Sequence, residues 1–176
     1  MSDLEEAARR VANGDREAFG SIVRATEQRL IRTATRLVGT REDAADVLQD
    51  AYLRAFDALV AGEFDGRSKL STWLYRVVVN VSLDALRARG RRPTAPLDEA
   101  AFATADGLTG ETRVALRELA GWLDALPEDQ RAAIVLKELE GMSSAEIAQV
   151  FETSEGAIEQ RLVRARATLR RRIDEG

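Results

Sequence analysis

The side chains that could do chemistry in this chain are carboxylates, guanidiniums and hydroxyls, because it contains no His and no Cys. That removes thiolate and imidazole zinc sites, His-assisted nucleophiles and a disulfide framework. Asp43, Asp46 and Asp50 recur at helical spacing and share roughly one face. Clustered carboxylates can hold magnesium, which makes a helical magnesium enzyme one reading. No second acidic cluster of matching spacing faces them, so a solvated or partner-binding face is the other. No catalytic residue, metal or cofactor is expected.

The guanidiniums are more informative. The net charge is −4, which alone argues against nucleic acid. The arginines are nevertheless concentrated in two zones. Between Arg67 and Arg92 the only acid is Asp84, against Arg67, Lys69, Arg76, Arg87, Arg89, Arg91 and Arg92. Between Arg161 and Arg172 there are six arginines and no acid. Two basic zones on an acidic chain suggest two phosphate-contacting surfaces. Two solvated helix ends, with Arg favoured near the C-terminal dipole, would give the same pattern.

These residues must be positioned by helices, since the chain is rich in Ala, Leu, Arg and Glu and has only three prolines. A first apolar face at helical period runs from Arg16 to Val38 and stops at Gly39. Thr40 to Asp43 reads as a capped start for a second helix, buried along Ala44, Val47, Leu48, Ala51, Tyr52, Ala55, Phe56 and Leu59. After a polar loop at 64–70, Ser71 or Thr72 is expected to cap a third helix with Leu74, Val77, Val78, Val81 and Ala85 inward. The acidic N-terminal segment also reads as helical, and no apolar run is long enough to span a bilayer.

Residues 93–111, with Pro93, Pro96 and no clear period, read as a flexible linker with at most a weak turn near 98–103. The fold class expected is all-α, two small helical bundles at 1–92 and 112–176. In the second, Pro127 is expected at the first position of a helix that ends at Gly141. Ser143 to Glu146 forms a capping box, and Ser154 caps a last helix with Ile158, Leu162, Ala165 and Leu169 inward.

A short helix, a tight turn and a longer basic helix outline a helix-turn-helix. Glu155, Glu159, Gln160, Val163 and Arg164 would then face base edges, with Arg166, Arg170 and Arg171 on phosphates. An ordinary helical hairpin with a charged outer face is the alternative. The other basic zone places Trp73 and Tyr75 among Arg and Lys, a mixture suited to unpaired bases. Trp73 reads equally as core.

Three strings carry a family resemblance. EDAADVLQDAYLRAF resembles the polymerase-binding helix of extracytoplasmic-function (ECF) sigma factors. FDGRSKLSTWLYRVVVNVSLDALRARGRR is similar to their promoter-melting and −10-reading segment, and LPEDQRAAIVLKELEGMSSAEIAQVFETSEGAIEQRLVRARATLRRRI to their −35-reading domain. The resemblance implies a cytoplasmic, non-enzymatic subunit, monomeric when free, without membrane insertion. Its implied partners are core RNA polymerase and promoter DNA and, as in many members, an anti-sigma factor. It places polymerase contact on Asp46, Leu48, Gln49, Asp50, Leu53, Arg54 and Phe56. It places −10 contact on the loop with Phe64, Gly66, Arg67, Ser68 and Lys69, on Asn80, and on Arg76, Asp84 and Arg87 beside it. To the −35 set it adds Arg161.

The chain departs from the family pattern at the helix-turn-helix turn. Glu152 and Thr153 stand where Gly and an apolar residue are common, so Glu152 has to adopt a conformation that Gly takes easily, or the turn differs. Glu159 and Gln160 stand where a basic residue and Ser are frequent, and Val79 replaces a frequently basic residue. The free protein is expected to bind DNA poorly, because its acidic and basic surfaces compete. A stand-alone helix-turn-helix regulator is the alternative function.

Overall fold

A computed structural model describes residues 3–89 and 110–175, and within these every regular element is helical. The N-terminal bundle comprises α1 (Asp3–Ala12), α2 (Phe19–Val38), α3 (Arg41–Val60) and α4 (Leu70–Arg89). The C-terminal bundle comprises α5 (Gly110–Asp124), α6 (Glu128–Ile134), α7 (Ser144–Val150) and α8 (Glu155–Glu175). The expected linker, its weak turn, Arg91 and Arg92 lie outside the described residues, except that Gly110 and Glu111 already belong to α5.

The stripe from Arg16 to Val38 divides into two elements. A single 3₁₀ turn, Arg16–Ala18, precedes α2, and the Asp15 carboxylate accepts from Ala18 N–H at 3.2 Å. Gly39 then stops α2 with φ 103°, an angle that a side chain would resist. Thr40 caps α3 through Asp43 N–H, as its sequence implies. α2, α3 and α4 pack on one another around Ile22, Leu37, Leu59, Leu70 and Leu74, all essentially inaccessible to water. α1 adds Val11 to this core.

Two helix starts differ from expectation. α4 begins at Leu70 rather than after Ser71 or Thr72, because the Glu5 carboxylate on α1 accepts from Leu70 N–H at 3.3 Å. A cap supplied by a distant helix leaves no local signal. Pro127 sits one residue before α6, extended at ψ 145°, as its N-cap. α4 is also buried more widely than one stripe, with Tyr75, Val79 and Leu83 inside as well.

In the C-terminal bundle α6 runs into a wide π turn, Val135–Leu139, in which Glu140 N–H bonds the carbonyl of Val135 at 3.1 Å. Gly141 (φ 71°) ends it. The capping box is complete, with Ser143 accepting from Glu146 N–H and the Glu146 carboxylate accepting from Ser143 N–H. Ile158, Leu162 and Ala165 of α8 are buried, and Leu169 is half-buried at the edge. Among the described residues no helix is long and apolar enough to cross a membrane.

The two bundles are in contact. α7 lies against α4, and α6 with its π turn lies against α2.

Candidate nucleic-acid interface

The loop between α3 and α4 and the outer side of α4 form two adjoining clefts. One, of about 240 Å³, is bounded by Asp65, Arg67, Ser68, Thr72, Trp73 and Arg76. The other, of about 290 Å³, takes in Arg54, Trp73, Arg76, Val77 and Asn80. The loop is held by its own side chains, with Asp65 accepting from Arg67 N–H at 3.0 Å. Trp73 is 7% exposed and packs on Phe64 with ring centroids 5.4 Å apart. It is therefore core and cleft floor together. Over the small part of the Trp73 ring that reaches the clefts, the Arg76 guanidinium and the exposed Asn80 amide offer polar atoms to the edge of an unstacked base.

Of the −10 candidates, Arg67, Ser68, Trp73, Arg76 and Asn80 line these clefts. Gly66 and Lys69 are exposed on the same loop. Asp84 and Arg87 form an ion pair of 3.1 Å further along α4, outside either cleft. Among the lining residues outside the expected −10 set, three are polar side chains from other parts of the structure. Glu63 borders both clefts, Arg54 of α3 enters one, and Gln149 of the C-terminal bundle walls the other.

α3 presents a second surface. Asp46, Gln49, Leu53 and Arg54 are exposed, Asp50 is half-buried, and Leu53 is 59% exposed although apolar. Leu48 is corrected by the structure. At 5% exposure it is core, because it falls on the same inward stripe as Val47, Ala51 and Ala55. Phe56 is half-buried against Phe19, with ring centroids 5.2 Å apart. The acidic face is already neutralised in part. Asp43 pairs with Arg89 at 2.7 Å, which holds its carboxyl below the usual range, and Asp50 pairs with Arg54 at 2.8 Å.

The helix-turn-helix is formed by α7 and α8. Glu155, Gln160, Val163, Arg164 and Arg170 project from α8 to solvent. Arg161 is half-buried. It stacks on Phe151 at 4.6 Å and pairs with Asp129 at 3.1 Å, fastening α8 to the rest of its bundle. Arg166 is half-buried and paired with Glu138 at 2.7 Å. Glu159, though exposed, hydrogen-bonds the Ser144 hydroxyl, so its charge is engaged within the motif. Glu152 adopts φ 51°, the one positive φ outside glycine among the described residues.

Sequence comparison agrees with this two-part layout. Residues 22–92 match the family model for Sigma-70 region 2, and residues 116–169 match that for Sigma-70 region 4. The ECF RNA polymerase sigma factor SigM of Mycobacterium tuberculosis is 42% identical over 97% of this chain and 84% of its own length. This chain belongs to the ECF sigma factors. The RNA polymerase sigma-H factor of Pseudomonas aeruginosa is also similar to this sigma factor, at 33% identity over 94% of the chain and 91% of that protein. Among solved structures, CnrH in complex with the cytosolic domain of CnrY superposes with a TM-score of 0.74 at 30% identity, covering 99% of each chain. The sigma factor thus directs transcription initiation, and the stand-alone regulator reading is not favoured.

Across its two bundles the sigma factor is joined by polar contacts. The Glu140 side chain is 4% exposed and receives four hydrogen bonds. Tyr75 Oη (2.6 Å) and Arg29 Nε (2.9 Å) donate to Oε2. Thr33 Oγ1 (2.8 Å) and Arg36 Nη1 (3.0 Å) donate to Oε1. Arg29 also donates to the Glu140 carbonyl at 2.9 Å. Arg131, buried in α6, donates to the carbonyl of Leu37 at the end of α2. Nearer the clefts, Arg76 pairs with Glu152 at 3.1 Å, and Lys69 lies 3.9 Å from Glu146.

Proposed function

We propose that this sigma factor acts by holding two separate pieces of a promoter at once. Residues 1–92 form the part that binds core RNA polymerase and reads the −10 element, 93–111 the linker, and 112–176 the part that reads the −35 element. The exposed face of α3, with Leu53 among Asp46, Gln49, Asp50 and Arg54, docks on polymerase. A bare leucine ringed by charges is what a buried apolar anchor with a polar rim looks like before its partner arrives.

The observation that carries the DNA reading is the aromatic-floored cleft beside the α3–α4 loop. A flipped −10 base lies against Trp73, with Arg67 and Arg76 on its phosphates and Asn80 at its edge. Capturing the unpaired form shifts the duplex toward melting. Gln160 and Arg164 read the −35 duplex, with Arg170 on phosphate. Two weak contacts on one rigid polymerase gain by effective concentration. The protein supplies binding energy and no bond chemistry, and its place of action is the cytoplasm, where polymerase works.

Size-exclusion chromatography with bacterial core polymerase tests this first. One-to-one co-elution that is lost in Leu53→Asp and kept in Asn80→Ala is expected. Run-off transcription should then show that Asn80→Ala slows promoter opening. Loss of polymerase binding in Asn80→Ala, or its retention in Leu53→Asp, would contradict the division of labour.

A further inference from the structure

The outward face of α8 is not what attraction to phosphate alone would build. Its exposed residues near the start are Glu155, Gly156, Glu159, Gln160, Val163 and Arg164, spaced as one helical face. Arg161, between them in sequence, is half-buried and held by Phe151 and Asp129. Over the first two turns, therefore, every fully exposed charge is negative, and Arg164 is the first exposed cation. A carboxylate here weakens binding to any DNA sequence through the phosphates. What it adds is an acceptor-only group at a base edge.

Glu159 is fixed where it stands. The Ser144 hydroxyl donates to its Oε1. Ser144 is 5% exposed in the first turn of α7, so packing holds the donor still. Ser143 caps α7, which leaves the Ser144 hydroxyl for this contact. Among the described residues Glu159 Oε2 has no hydrogen-bond partner. One oxygen thus anchors the side chain to the first helix of the motif, and the other stays available at an exposed position. A carboxylate already ordered loses little freedom when DNA arrives.

The four bases present different major-groove edges to such a group. Guanine shows two acceptors, and thymine an acceptor and a methyl group, so both are unfavourable. Adenine shows an amino donor beside an acceptor. Cytosine shows an amino donor alone. We propose that Glu159, with Ser144 as its positioning residue, makes this sigma factor select a cytosine within the −35 element. This rests on the reading of α8 as the −35-reading helix and adds to it the base that one position requires. Gln160 and Arg164 carry the chemistry for adenine and guanine at neighbouring positions.

The test uses holoenzyme, reconstituted from bacterial core polymerase and the full-length protein. It selects from a promoter library randomised across the −35 region, and the recovered DNA is sequenced. The unsubstituted protein should enrich cytosine at one position about tenfold over guanine or thymine. Glu159→Ala should level that position and keep the preferences beside it. Glu159→Gln should move the preference there to adenine, whose amino group and N7 a carboxamide can pair with together. Ser144→Ala should keep cytosine with weaker enrichment, because a released carboxylate can turn away from guanine. Glu159 is exposed and Ser144 does not cap its helix, so the fold is expected to survive all three substitutions.

An unchanged base preference in Glu159→Ala, with or without a uniform rise in recovered DNA, overturns the inference. So does guanine or thymine at the position that Glu159→Ala releases. Full cytosine enrichment in Ser144→Ala overturns the positioning role. If the unsubstituted holoenzyme selects no upstream base, the −35 reading fails and this inference with it. A selected element that is indifferent to Glu159 leaves that reading standing.

Discussion

Glu152 holds a backbone angle that its own Cβ opposes, and the sequence shows where but not how it is tolerated. A non-glycine residue in the left-handed region costs roughly 1–2 kcal/mol. Gly would remove that strain and would lose about 0.5–1 kcal/mol to its greater freedom in the unfolded chain. The side chain has a compensating role, since it pairs with Arg76 across the interface. An exposed pair of this kind contributes only about 0–1 kcal/mol. Glu152→Gly should therefore raise the stability of the full-length protein by about 0.5 kcal/mol or leave it level. Glu152→Ala keeps the strain, loses the pair and should lower stability by up to about 1 kcal/mol. Urea denaturation followed by circular dichroism distinguishes the two, and equal destabilisation by both would show that the turn is not strained. The turn was legible because its family pattern names a glycine. Arg161 and Glu159 were not, because composition marks a charged residue without saying that Asp129 or Ser144 already holds it.

At the scale of one element, α3 carries two faces that helical period separates cleanly. Val47, Leu48, Ala51, Ala55 and Leu59 are buried, while Gln49, Leu53 and Arg54 face water. Assigning Leu48 to the polymerase surface followed a motif string, and the string does not distinguish residues that touch a partner from residues that support them. The period does, and on that criterion Leu48 belongs inside. Leu48→Ala should cost about 2–5 kcal/mol through the cavity it leaves. Leu53→Ala should change stability by no more than about 0.5 kcal/mol and weaken polymerase binding. Thermal melting and a polymerase-binding titration on both variants test this crossing of effects. Helix starts were legible wherever the cap is local, as at Thr40 and Ser143. They were not where it comes from elsewhere, as for Leu70 and Glu5.

For the whole molecule, the two bundles were readable and their docking was not. Apolar periodicity shows that Leu162 and Val78 each face a core, but not that the buried apolar residues of both bundles join in one core, nor which polar residues far apart in sequence pair across it. Glu140 and Arg36 are 104 positions apart and neither breaks a pattern. The pH dependence of this contact follows from the groups around Glu140. Burial pushes the Glu140 carboxyl up, while hydrogen bonds from Tyr75, Arg29 and Thr33 and the charge of Arg36 pull it down and prevail, leaving it below the ordinary 4.5. A group depressed in the closed state contributes fully above that ordinary value and loses its contribution as pH falls through the depressed one. The guanidiniums of Arg29 and Arg36 keep their charge throughout, and Tyr75, pushed up by burial, stays neutral. Glu146 and Glu152 also face basic residues across the contact, Lys69 and Arg76. Small-angle scattering should therefore show a closed particle near neutral pH that expands as pH falls through the lowered Glu140 range, while helicity persists. In Glu140→Gln the particle should already be larger at neutral pH and respond less to acid. An acid expansion of equal size in both proteins would remove Glu140 from the closure.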